Sequence, residues 1–259
     1  MRPHLLIFAG FLLAAGIASA PASSAAPDQP APAPAEGPWV VVDYSARSGS
    51  YRVTGDVSLL SQRYSPGSTF NLIVAAVALD TGELTETTEI PCRAGGDSSR
   101  TVPLTLPRAL RESNDDFFVQ VLKRTGYEPV RKFLAATRYT PGVPEAVSSF
   151  GDLAKGEPLR VTVFEQNLFL QAFLKRELPL GAAHCASLER WLALENGKGA
   201  WGRGGSGEVS VEPPRAISWF NGVARLRDGA HVITVAALTS RHEPAAPERF
   251  RRYISSPRK

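Results

Sequence analysis

Two cysteines and four histidines are all that 259 residues offer as thiol or imidazole ligands. Three of the histidines, His184, His231 and His242, remain beyond the N-terminal leader described below, and none has the close spacing of a zinc site. No metal and no cofactor are expected. Cys92 and Cys185 would be free to pair in an oxidising compartment, but sequence separation does not say whether their α-carbons meet, so the disulfide stays open. Charge is sparse as well, at 21% of residues with 29 basic against 25 acidic, and no basic stripe gathers on any segment. Nucleic acid is therefore set aside as a partner. No internal repeat is visible, and no apolar run beyond the leader is long enough to span a bilayer.

A 43% hydrophobic content is enough for a sizeable core and excludes disorder for the bulk of the chain. Met1-Arg2-Pro3-His4, an apolar run from Leu5 to Ala18 and then small residues have the layout of a secretory signal, assigned to residues 1–25 with Ser23 and Ala25 as the small pair. Cleavage and a retained anchor are both open. Residues 26–38 are rich in Ala and Pro and read as an extended spacer, leaving 39–259 as the folded domain. Export to the periplasm is the expected localisation.

Strand signals lie at both ends of that domain. Trp39 to Tyr44 and Tyr51 to Val53 flank Arg47-Ser48-Gly49-Ser50, while Ile217 to Leu226 and His231 to Leu238 flank Arg227-Asp228-Gly229, an Asp-Gly hairpin signal. Helical periodicity fills the middle: Ser68 to Ala78, Leu106 to Thr125, Val130 to Thr137, Thr162 to Leu174 and Ala183 to Leu194, punctuated by Gly126 and Gly181. The expected fold is α+β, with an antiparallel sheet formed by both chain ends and a mostly helical lobe between them.

Tyr64-Ser65-Pro66-Gly67-Ser68-Thr69-Phe70-Asn71, followed by Ala78-Leu79-Asp80-Thr81-Gly82, resembles the sequence through and after the nucleophile of the class D β-lactamases and related penicillin-binding transpeptidase domains. In that family the first motif is S-x-x-K, and here Asn71 replaces the lysine. Ser113-Asn114-Asp115 is similar to the second motif, S-x-V or S-x-N, with Asp115 departing from it. Arg203-Gly204-Gly205 falls where K-T-G would stand, and Trp219-Phe220-Asn221-Gly222 resembles the W-F-x-G of the next strand. Leu159 to Gln166 resembles the helix that follows the omega-like loop. That loop's tryptophan, which steadies a carbamylated lysine in class D enzymes, is absent from Ser149-Phe150-Gly151-Asp152-Leu153.

The resemblance implies serine acyl transfer on a β-lactam or a peptidoglycan-like stem peptide, without metal or cofactor. Ser68 is the nucleophile equivalent, placed where a helix N-terminus favours negative charge. A serine hydroxyl needs a neighbouring base, and an amide side chain has no basic lone pair. Asn71 can therefore hydrogen-bond Ser68 but not deprotonate it. Asp115 is the available substitute base, and Arg203 is placed to grip a substrate carboxylate without the hydroxyl that Gly204 has removed.

Three readings follow: an impaired ligand-binding or regulatory pseudoenzyme of the cell envelope, a working enzyme acylated at Ser68, and an inert structural or partner-binding domain that inherited the fold. Plain structural roles stand beside each residue. Ser68 and the Ser113–Asp116 run would serve as helix caps, and Gly202 to Gly207 would form a glycine loop that lacks the P-loop pattern. The segment from Arg249 to Ile254 resembles the terminal helix of the same family.

Overall fold

The computed structural model describes residues 37–94, 97–195, 199–209, 215–240 and 245–256. The expected signal segment and most of the Ala/Pro spacer lie outside these residues, as does His242.

Chain order runs β1 (Trp39–Ser45), β2 (Tyr51–Gly55), a 3₁₀ turn (Gly67–Phe70), α1 (Asn71–Asp80), β3 (Ile90–Ala94), β4 (Asp97–Leu104), α2 (Leu106–Glu112) and α3 (Asp115–Thr125). It continues with α4 (Tyr127–Thr137), α5 (Phe150–Ala154), α6 (Val163–Lys175), α7 (Ala182–Trp191), β5 (Trp201–Val209), β6 (Arg215–Leu226), β7 (Gly229–Thr239) and α8 (Ala245–Ser255). Five strands form one antiparallel sheet in the order β2-β1-β7-β6-β5, so the two ends of the domain do share a sheet. Among the described residues no helix is long and apolar enough to cross a membrane.

Strand residues alternate between the two faces of this sheet. Val40, Val42, Trp219, Val223, Val232 and Ala236 point toward the helical lobe and join its large core, whose central element is α1, buried from Asn71 through Leu79. A helix buried all round must be apolar all round, which is why this run shows little one-sided patterning. The opposite face carries Val41, Ile233, Val235, Phe220 and Ala224, covered by Ala246 and Phe250 of α8. Each fully buried large apolar side chain contributes roughly 1.5–3 kcal/mol. The helix entries are written in the chain: Thr162 and Glu165 form a reciprocal capping box on α6, and Asn114 caps α3 through the Phe117 N–H at 2.9 Å.

Two features depart from the sequence reading, and two settle what it left open. The helical pattern from Leu106 to Thr125 is two helices, because Ser113 adopts a left-handed conformation (φ 52°) that closes α2 and Asn114 opens α3. The β3–β4 hairpin was not anticipated. Gly202 to Gly207 form the body of a paired strand, where a loop was the plain alternative. Cys92 and Cys185 are both free and buried, and desolvation pushes the Cys92 thiol up to about 11.

Candidate functional site

Ser68 sits, half-buried, in the 3₁₀ turn that leads into α1. Strand β5 lies directly against this turn, and glycines permit the approach. A Cβ on Gly205 would stand 2.5 Å from the Thr69 nitrogen and 3.0 Å from that of Ser68. Gly67 turns back with φ 56°, and a Cβ there would run into the Ser206 carbonyl. Trp219 donates its Nε1–H to the Ser65 carbonyl at 2.8 Å, and the Ser65 hydroxyl donates to Gly156 at 3.0 Å. The turn is thereby clamped between the sheet and the segment after α5.

Arg203, on β5, is 4% exposed. Its Nε donates to the Ser68 carbonyl at 2.8 Å and its Nη1 to the Leu110 carbonyl at 2.6 Å, with the guanidinium 5.6 Å from the Phe118 ring centroid. One side chain thus fastens β5 to the nucleophile turn and to the end of α2. Burial pushes the guanidinium down to about 10, with Asp115 acting in the opposite direction. Gripping a substrate carboxylate, the role implied by the resemblance, would require Arg203 to release these carbonyls.

Asn71 is fully buried, and neither its Oδ1 nor its Nδ2 finds a hydrogen-bond partner among the described residues. Such an orphaned group costs about 1–3 kcal/mol per missing bond. Arg203 Nη2 and Asn221 Oδ1 share this condition. Beside them runs a chain of satisfied bonds. Thr69 donates its hydroxyl to the Pro66 carbonyl at 2.6 Å and accepts from Gln166 Nε2 at 3.0 Å. Gln166 Oε1 in turn accepts from Tyr139 at 3.0 Å and Asn221 at 2.8 Å.

Ser113 is exposed at the α2–α3 turn, and Asp115 opens α3. Asp115 keeps solvent-exposed surface, yet its carboxyl is crowded enough that desolvation raises its pKa. Arg203 and Lys155 pull it back down in part. Gly204 turns to the other face of the sheet, toward Pro247 of α8. The structure therefore gathers Ser68, Arg203, Gly205 and the α2–α3 turn into one corner. Sequence reading missed Tyr139, Gln166 and the polar role of Asn221. A polar residue inside an otherwise apolar helix or strand was the available signal for the last two.

Among the described residues no group of three or more His, Cys, Asp and Glu side chains could hold a metal ion. Among curated proteins none matches this chain in sequence. The sequence profile of the penicillin-binding protein transpeptidase domain matches residues 43–176, just over half of the chain. A class D β-lactamase from Nostoc is similar in structure, with a TM-score of 0.70 and 21% identity, over 82% of this chain and 89% of that one. A class D β-lactamase from Bacillus subtilis gives 0.69 and 19%, over 83% and 89%. The C-terminal domain of the Bacillus licheniformis BlaR penicillin-receptor gives 0.69 and 19%, over 81% and 85%. With its fold matching these structures and its sequence matching the profile, the chain belongs to the penicillin-binding protein transpeptidase domain family.

Proposed function

We propose that this protein is a catalytically impaired, ligand-binding or regulatory member of its family, exported to the cell envelope and working in the periplasm. The observation that carries this reading is Asn71: a neutral, fully buried amide with no partner among the described residues, one helical turn from Ser68. Acylation moves the Ser68 proton to a base as Oγ attacks a carbonyl, then on to the leaving nitrogen as the C–N bond breaks. An amide performs neither transfer. General-base assistance is worth about 10²–10⁴ in rate. The Arg203 clasp across the turn points the same way, since the cation that would hold a β-lactam or stem-peptide carboxylate is engaged with the backbone. That one structural neighbour is a penicillin-receptor domain supports a ligand-binding reading. The leader-like segment at residues 1–25 supports export.

Incubating the purified protein with a fluorescent penicillin and weighing the intact chain tests the reading. Wild type and Ser68→Ala are expected to remain unlabelled. A covalent adduct on wild type that disappears in Ser68→Ala would overturn it. If that adduct also disappears in Asp115→Asn, the alternative of a working enzyme with Asp115 as substitute base takes its place. The raised pKa of Asp115 is the observation that favours this alternative.

A further inference from the structure

A cavity of about 610 Å³ opens on the sheet face opposite Ser68, between the β1–β2 hairpin, the β6–β7 turn and the end of α8. This volume lies within the range of small-molecule sites. From the rung that joins Gly205, Trp219 and Ala236, the cavity is five residues away along β7, roughly 16 Å. It shares no side chain with the Ser68 corner.

The α8 face of β1 and β7 is apolar through Val41, Val235 and Ile233 and then turns abruptly polar at Asp43 and His231, which are 2% and 3% exposed. Burying such groups costs free energy that continued valine or isoleucine would not. Here they are fully organised. His231 Nδ1 meets Asp43 Oδ1 at 2.8 Å and Nε2 meets Asp228 Oδ1 at 3.0 Å, while Tyr253 donates its hydroxyl to Asp43 Oδ2 at 3.0 Å. Because carboxylates only accept, both histidine contacts are hydrogen bonds when both ring nitrogens carry protons. Departures from an apolar pattern that are paid for in this way mark sites with a task beyond packing.

At the rim stand Arg52 and Arg227, exposed, with neither making a hydrogen bond or ion pair among the described residues. The walls between rim and floor are short hydroxyls: Ser45, Ser48 and Ser50 on one side, Ser255 and Ser256 on the other. A partner must therefore offer negative charge to two planar donor forks and hydroxyl groups to the serines. We propose that this cavity is a second binding site, for an anionic polyol: an acidic sugar or a phosphorylated polyol.

Titration calorimetry of the full chain with glucuronate and with glycerol 3-phosphate, against glucose and glycerol as neutral controls, tests the site. Saturable one-to-one binding of either anion is expected. It should weaken as salt is raised, and about tenfold or more in the double variant Arg52→Ser/Arg227→Ser, whose exposed positions leave the melting temperature unchanged. Response to glucuronate alone assigns an acidic sugar, and response to glycerol 3-phosphate alone a phosphorylated polyol. Absence of saturable binding for both anions, equal binding of the neutral controls, or unchanged affinity in the double variant would each overturn the proposal.

Discussion

Two clusters of polar side chains, one on each face of the central sheet, are buried to the same depth and differ in how they are bonded. Toward the helical lobe, Asn71, Arg203 Nη2 and Asn221 Oδ1 are enclosed without partners among the described residues. Toward α8, His231 and Asp43 are as well enclosed, and each has a hydrogen-bonding group on both sides. Burial alone therefore does not tell the two clusters apart. Satisfaction does, because every orphaned atom costs free energy that a paired one returns.

The largest effect expected to test this contrast comes from adding one methyl group at each region. Gly205→Ala forces a Cβ into the backbone of Ser68 and Thr69 and should cost about 3 kcal/mol or more in urea unfolding. Gly49→Ala, at the cavity's hairpin with φ 69° and open space around it, should cost about 1–2 kcal/mol from the left-handed backbone alone. Equal losses would mean that β5 does not press on the turn as described.

Arginine gives the next comparison. Arg203→Met removes one donor from the Ser68 carbonyl, which keeps the Asn71 N–H, and one from the Leu110 carbonyl, and should lose about 2–3 kcal/mol, whereas Arg227→Met at the exposed rim should stay within about 0.5 kcal/mol. A gain at Arg203→Met would show that desolvating the cation outweighs its two bonds. Thr162→Ala, which breaks the capping box on α6, should cost about 1 kcal/mol and serves as a yardstick belonging to neither site.

Asp115→Asn should act least. Desolvation raises the carboxyl above its ordinary value, so in the window between the two values the folded chain binds more protons and stability falls as pH rises. Removing the charge should raise stability at neutral pH by less than about 1 kcal/mol, because the side chain keeps solvent access. The difference should vanish below the ordinary carboxylate range. Thermal melts across pH read it, and an effect that grows on acidification would show the sign to be reversed.

Much of the architecture was legible because local chemistry and global fold agree. Asp228-Gly229 announced its hairpin, the apolar run after Ser68 its helix, and Gly126 the end of another. Leu106 to Thr125 misled because apolar spacing continues across Ser113 and Asn114, and what divides the helices is a backbone angle that periodicity does not encode. The β3–β4 hairpin hid behind Pro91 and Pro103, residues poor in strand propensity that face each other in the register. At the site, the identities of Ser68, Asn71 and Arg203 were plain. The direction of the guanidinium was not, because it depends on carbonyls at Ser68 and Leu110 that only folding brings within reach.

The pairing of β1 with β7 has a consequence for how the molecule is made. Asp43 and His231 are 188 positions apart, yet they lie on neighbouring strands. One edge of β1 closes locally on β2, but the other must wait until β7 has been made. Non-local closure of this kind is slow, and until it happens that edge of β1 is open to other chains. A nascent chain halted before Gly229 would have α1 to α7 and the β1–β2, β3–β4 and β5–β6 pairings but no finished sheet, so the central pairing waits for β7.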